Sequence, residues 1–358
     1  MPTDDVAALK DEIRGLKARL GKRALVLTHH YQRPEIVALG DLRGDSFELS
    51  RLASEAAAAE EIVFCGVHFM VESAAVLARP GQRVYHPDLE SGCPMADMAE
   101  VGDLERAWRE LRAALGEDVE GRVLPLAYMN TKAAVKAFVG ARGGAVCTSS
   151  NAGRAMTWAL AERAQVLFVP DEHLGRNTAF DLGIPAAAQV LWDPALPSGG
   201  LTPGQVRGAR VILWKGYCHV HTAFEPAHVD EARARLPGCQ VHVHPECRRE
   251  VVTRADGNGS TSYLVKVCER AAPGQTLVIG TEINLVLRMQ LEHPQLTIRP
   301  LARSLCPNMY RITLEKVARI LRDLVAGRGG DAHPNRITVS DEVQRDARLA
   351  LQRMLAMP

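Results

Sequence analysis

Hydrophobic positions along the chain fall into two periods. Val6, Leu9, Ile13, Leu16 and Leu20 recur at three- and four-residue steps between charged residues, which predicts an amphipathic helix within the stretch from Met1 to Arg23. Further on, the spacing changes to short strand-like segments: the apolar runs Ala24–Thr28, Ile62–Gly66, Val123–Ala127, Val166–Val169 and Leu277–Gly280, and Gln240-Val241-His242-Val243 at the matching place in the third set. Such runs, followed by helix-like stretches, predict parallel strands covered by helices on both faces, an α/β fold.

The runs repeat as a set. The first unit passes from its strand to His29-His30-Tyr31-Gln32, then Gly44-Asp45-Ser46, the strand Ile62–Gly66 and Ser91-Gly92-Cys93. The second follows Val123–Ala127 with Tyr128-Met129-Asn130-Thr131, Thr148-Ser149-Ser150, Val166–Val169 and Gly216-Tyr217-Cys218. The third follows Gln240–Val243 with His244-Pro245-Glu246, Gly259-Ser260-Thr261-Ser262, Leu277–Gly280 and Ser304-Leu305-Cys306. Ser46 to Gly66 spans 20 residues, Ser149 to Pro170 spans 21 and Thr261 to Gly280 spans 19.

These matches predict three αβα sandwich units with short parallel sheets, related by a pseudo-threefold axis around a central active site. The units cover residues 1–103, 104–225 and 226–311, and a helical tail, 312–358, packs on the core. From the last strand to the closing cysteine the units need 27, 48 and 26 residues; the excess in the second holds Asp193–Gly200, rich in Pro and Gly, which reads as a surface loop. In the tail, Leu314, Val317, Leu321 and Leu324 share one helical face, and Ser340 is placed to cap a last helix running to about Leu355.

Composition narrows the chemistry. With 43 Lys+Arg against 42 Asp+Glu and a net charge of +1, the chain lacks the basic stripe of a nucleic-acid binder. It has neither an apolar leader nor a run long enough to span a bilayer, so a cytoplasmic protein that contacts no membrane is expected. Eight cysteines form no CxxC pair, which leaves a zinc ribbon or a redox dithiol unsupported and requires any metal site to gather ligands from distant segments.

Among the eight, the repeat singles out Cys93, Cys218 and Cys306, each closing a unit. A cysteine taken singly is more often inert core, the reading given to Cys65, Cys147, Cys239 and Cys268, while Cys247 reads as lining a cavity without ligating. Three thiolates on a [4Fe-4S] cubane would leave one iron open to act as a Lewis acid; zinc with three thiolates and water would also satisfy the pattern. Ser46, Ser149 and the pair Ser260 and Thr261 precede helix-like stretches, where N–H groups favour phosphate or carboxylate, although ordinary capping is the commoner use of such residues. His29, Tyr31, Tyr128, Asn130, His221, His244 and Glu246 follow strand ends, where ligands are met, and Tyr31 and Tyr128 are taken as matching repeat positions.

Taken in order, His29-His30-Tyr31-Gln32, Gly44-Asp45-Ser46, Phe64–Ser73, Cys93-Pro94-Met95-Ala96, Tyr128–Thr131, Thr148–Ala152, Pro170–Gly175, Gly216–His221, His244–Cys247, Gly259–Ser262 and Gly280-Thr281-Glu282 resemble the quinolinate synthase family from about Ala24 to about Ile312. The chain departs from that family's usual pattern in a longer 181–215 region and in Thr222-Ala223-Phe224, where acidic residues are common. The resemblance implies a [4Fe-4S] cluster on Cys93, Cys218 and Cys306 and the condensation of iminoaspartate with dihydroxyacetone phosphate for NAD biosynthesis, with L-aspartate oxidase or aspartate dehydrogenase as the iminoaspartate source.

It also implies Glu246 as general base, Tyr31 and His244 assisting phosphate departure and enolisation with Tyr128 also catalytic, and His29 and Asn130 holding anionic oxygens. His221, Ser46, Ser149, Ser260 and Thr261 complete the substrate-binding set. A diphthamide-type aminocarboxypropyl transferase, which uses S-adenosylmethionine and a protein partner, and a cluster-binding protein without turnover are the alternatives.

Overall fold

A computed structural model describes residues 3–56, 58–116 and 118–357. The chain forms two compact units: one runs up to Cys93 and takes in Glu282–Pro294 and Leu305–Val339, and the other takes Pro94–Thr281, Gln295–Ser304 and the chain from Ser340.

The first unit holds one sheet, in the order Arg336–Ile337, Arg83–Tyr85, Glu61–Cys65, Ala24–His29, Leu42–Gly44, parallel except at its first strand. The amphipathic pattern at the start of the chain becomes the helix Thr3–Leu20, and its Ile13, Leu16 and Leu20 bury against Val317, Ile320, Leu321 and Leu324 of the helix Leu314–Val325. Part of the expected tail thus supplies this unit with a helix and also with an edge strand, Arg336–Ile337, whose two residues carry no detectable periodicity.

The second unit holds two sheets, each parallel throughout. One runs Ala145–Cys147, Val123–Tyr128, Gln165–Val169, Val211–Trp214, Gln189–Trp192; the other runs Gly257–Asn258, Gln240–Val243, Thr276–Gly280, Thr297–Pro300. Every residue of Val123–Tyr128 and Gln165–Val169 is buried, which explains why these strands read as apolar runs. The helix Asp341–Ala356 packs on Ala133–Ala141, and the approach is closest at Gly140, where a Cβ would lie 1.9 Å from the Asp346 carbonyl oxygen. Ser340 occupies the cap position of that helix, yet its side chain makes no capping bond.

All three sheets share a four-strand order in which the first strand of the repeat lies between the second and the third, and the fourth lies beyond the third. Register makes the equivalence residue by residue. Thr28 pairs with Arg43 and Cys65, Ala127 with Val146 and Val169, and Val243 with Asn258 and Gly280, where Cys65, Val169 and Gly280 each end a strand. Equivalent next positions are therefore His29, Tyr128 and His244, and two residues further Tyr31, Asn130 and Glu246. Tyr31 does not match Tyr128, as the sequence order suggested; a polar residue one or two places past a strand looks the same until pairing fixes the strand end.

The longer second repeat is also more ordered than a loop. It contributes the extra strand Gln189–Trp192, parallel to Val211–Trp214, and fully buries Trp192 and Trp214. Residues 195–197 are exposed as expected, but Gly199 is buried, has φ of 63°, and comes so near the Trp192 ring that a Cβ would stand 2.3 Å from it. Glycine serves there both for the left-handed backbone and for the close approach.

Candidate active site

In the second unit, the residues past the strand ends form one hydrogen-bonded group. The Tyr128 hydroxyl donates to Glu246 Oε1, His221 Nδ1 lies 2.7 Å from Glu246 Oε2, and His221 Nε2 lies 3.1 Å from Thr281 Oγ1. His244 stacks on His221 with ring centroids 4.3 Å apart, and the Glu246 N–H donates to His244 Nδ1 at 3.4 Å. Tyr128, His221, His244, Glu246 and Thr281 are all buried.

Burial alone would raise the Glu246 carboxyl. The neighbouring charges of His221 and His244 and the bonds from His221 and Tyr128 outweigh it and hold the group down to about 2. The site therefore keeps an ionised carboxylate out of water by surrounding it with donors, the condition under which a buried charge is tolerated.

Behind it stands Asp171, fully buried, with Oδ1 accepting the Leu174 N–H at 2.7 Å and Oδ2 unpartnered among the described residues. Burial first, and then the Glu246 charge, push the Asp171 carboxyl well above the usual range. Asn177 braces the Glu246 turn, donating to the carbonyls of Pro245 and Cys247 at 2.8 Å each.

The first unit brings together a different set. The Tyr31 N–H donates to His29 Nδ1 at 3.2 Å, the same arrangement as Glu246 on His244, and the two rings meet edge to face at 4.9 Å. Asn284 donates to the Tyr31 carbonyl at 3.2 Å and to Glu282 Oε1 at 3.1 Å, and the same oxygen accepts the Cys306 N–H at 3.3 Å. Glu282 is fully buried and, by that burial, is pushed up to about 8.

The expected anion holders differ among themselves. Ser46 opens the helix Ser46–Glu55, but Asp45 caps it, accepting the Phe47 and Glu48 N–H groups at 3.0 Å each. Ser149 is half-buried in a turn fastened by Asn151, whose Oδ1 accepts the Thr148 N–H at 2.7 Å, and Asn130 is half-buried beyond its strand. Ser260 is a true cap, accepting the Tyr263 N–H at 3.3 Å, with Thr261 buried as the first residue of the helix.

The cysteines divide by exposure. Cys65, Cys147, Cys239, Cys247 and Cys268 are buried, whereas Cys93, Cys218 and Cys306 are partly exposed, and all eight are thiols. Each of the latter three follows the fourth strand of its repeat and directly precedes a four-residue helix: Pro94–Asp97, His219–Thr222 or Pro307–Tyr310. Equivalent, partly accessible sulfurs suit a thiolate-held cluster as a donor set. Burial raises the Cys306 thiol to about 11, a shift that metal coordination reverses by deprotonating the sulfur.

Sequence reasoning left out Thr281, Asp171, Glu282 and Asn284 as site residues. The signal was present in the repeat: Asp171 and Glu282 are the residues two beyond the third strand of their units, the cap position occupied by Val67 in the first.

The family described as Quinolinate synthetase A protein matches residues 11–356. Similar relatives include the quinolinate synthases of Nocardioides sp., 48% identical over all of this chain and 91% of the relative, and of Acidobacterium capsulatum, 48% identical over 97% and 92%. The quinolinate synthase of Herpetosiphon aurantiacus is 48% identical over 98% of this chain and 92% of its own. With a family match spanning nearly every residue and relatives of this identity over about nine-tenths of their length, the chain belongs to the quinolinate synthetase A family and is an enzyme of that type.

Proposed function

We propose that the chain condenses iminoaspartate with dihydroxyacetone phosphate to give quinolinate, phosphate and water for NAD biosynthesis, using a [4Fe-4S] cluster held by Cys93, Cys218 and Cys306. The cluster assignment is carried by the equivalent placement of these three thiols, partly exposed while the other five are buried. When bound, such a cluster supplies an iron with an open position that polarises a hydroxyl or carboxylate.

The remaining work falls to side chains. The ionised Glu246 serves as general base through His221, steadying that ring when it takes up a proton, and it orients the Tyr128 hydroxyl. His244 has Nδ1 engaged by the Glu246 N–H, which leaves Nε2 as the proton donor toward a leaving phosphate or enolising carbonyl. Tyr31 assists the same steps, and His29, with Nδ1 likewise engaged, offers Nε2 to an anionic oxygen. Asn130, Ser46, Ser149, Ser260 and Thr261 supply further donors to phosphate and carboxylate groups.

Iminoaspartate would come from an enzyme that oxidises L-aspartate, an oxidase or a dehydrogenase. Thiols throughout the chain fit a reducing cytoplasm, and no helix among the described residues is long and apolar enough to cross a membrane.

The test is anaerobic reconstitution with iron and sulfide, followed by absorption and EPR spectra and an assay of quinolinate from the two substrates, with Cys93→Ala, Cys218→Ala and Cys306→Ala in parallel. A [4Fe-4S] signal and product, both abolished by each substitution, are expected. A cluster without product would favour a non-catalytic carrier, and no cluster would remove the central claim.

A further inference from the structure

One group in the second unit carries chemistry that the condensation does not require. The sulfur of Cys218, a ring nitrogen of His221 and a carboxylate oxygen of Glu246 all lie within 4.8 Å of one another. A thiolate, an imidazole and a carboxylate together form the mixed donor set that zinc accepts when three protein ligands leave its fourth position to water.

Their outer contacts are those of a metal site. Ligating histidines hold their second ring nitrogen to an oxygen partner and ligating carboxylates are themselves hydrogen-bonded. Here His221 presents Nδ1 to the group and Nε2 to Thr281 Oγ1 at 3.1 Å, while Glu246 offers Oε2 to His221 and receives the Tyr128 hydroxyl on Oε1. Both ligand orientations are thus fixed before any ion arrives.

We propose that Cys218, His221 and Glu246 form a cation site in their own right, taking one divalent ion of zinc-like chemistry in protein that lacks a cluster. Bonds of about 2.0–2.3 Å in a tetrahedron place ligand atoms roughly 3.5 Å apart. The 2.7 Å between His221 Nδ1 and Glu246 Oε2 must therefore open by under about 1 Å, and the hydrogen bond between them is given up. Partly exposed Cys218 provides the entry. One oxygen ligand with a soft sulfur and a nitrogen is a poor set for Mg²⁺ or Ca²⁺, which take oxygen almost exclusively.

The site needs one cysteine of the three, so the inference does not rest on the cluster reading and can fail or stand without it. Cluster-free protein is titrated with Zn²⁺ against a chelating indicator, and with Co²⁺ by absorption spectroscopy. One equivalent of tight Zn²⁺, a tetrahedral Co²⁺ spectrum with a single-thiolate charge-transfer band, and no competition from Mg²⁺ are expected. Cys93→Ala and Cys306→Ala keep this binding; Cys218→Ser and His221→Gln abolish it, and Thr281→Val weakens it about 10-fold or more. Circular dichroism melts identify any variant that fails to fold, and the Cys93 and Cys306 variants still decide the matter if the others do. Loss of binding in Cys93→Ala or Cys306→Ala to the same degree as in Cys218→Ser would overturn the proposal in favour of a three-thiolate site, as would a Co²⁺ spectrum without a thiolate band or weak binding that no substitution changes.

Discussion

Asp41 and Asp256 make the same bond in two different sheets: Asp41 Oδ2 accepts the Val26 N–H at 2.8 Å, and Asp256 Oδ2 accepts the Val241 N–H at 2.7 Å. Register makes Pro125 the counterpart of Val26 and Val241, and Gly144 the counterpart of the aspartates. Proline has no N–H to satisfy. The acceptor is correspondingly absent, and Gly144 comes against the Pro125 carbonyl so closely that a Cβ would stand 2.0 Å from its oxygen. This is how a proline occupies a central strand without leaving a neighbour unpaired.

Asp256→Ala should therefore destabilise the fold by about 1–2 kcal/mol, since it removes this bond and also the part-exposed ion pair that Asp256 Oδ1 makes with Arg233 at 3.0 Å. Asp256→Asn, which keeps an acceptor oxygen, should recover part of the loss. Urea unfolding midpoints of the two variants measure the difference, and equal losses would show that the charge rather than the bond is what matters.

Glu246 imposes a pH dependence whose sign follows from its environment. Its carboxyl lies at about 2 in the folded protein against an ordinary 4.5, so the stability it contributes is fully present above about 4.5 and is lost as pH falls toward 2. Glu246→Gln cannot titrate. Unfolding midpoints of the two proteins should converge as pH drops through that window; a gap that stays constant from pH 7 to 3 would contradict the assignment of charge.

Tyr31 is placed by main-chain bonds, its N–H on His29 Nδ1 and its carbonyl on Asn284 Nδ2, neither of which uses the hydroxyl. Tyr31→Phe should accordingly keep its iron and sulfide content while quinolinate formation falls about 100-fold or more. Unchanged turnover would remove Tyr31 from the reaction.

The contact at Gly140 leaves no space for a side chain against the Asp346 carbonyl. Gly140→Ala must separate the helices Ala133–Ala141 and Asp341–Ala356, an overpacking cost of about 1–3 kcal/mol. Limited proteolysis should release a C-terminal fragment from the variant sooner than from the parent chain.

Five of the six strands that carry the repeat were legible because residues covered on both faces leave short unbroken apolar runs, and the sixth, Gln240–Val243, by its place in the repeat. The extra strand Gln189–Trp192 was hidden beside Asp193–Gly200, whose prolines and glycines signal a loop, although Gly199 there serves the packing of Trp192. Tyr31 and Glu246 stood out by residue type past a strand end, and the three cysteines by recurrence. Asp171, Thr281 and Glu282 did not, because a carboxylate or hydroxyl past a strand reads as an ordinary helix cap, and only pairing register reveals how far it lies from the strand end.

The helix Asp341–Ala356 is fastened by more than its fit on Gly140: Arg353 also donates to the carbonyls of Gly140 and Gly144 at 3.1 and 2.7 Å. These partners lie some two hundred residues earlier, beside the strand Ala145–Cys147. During synthesis that face of the second unit therefore stays bare until some two hundred further residues have been made. Over that interval the uncovered surface is of the kind that exposes a partly folded chain to aggregation.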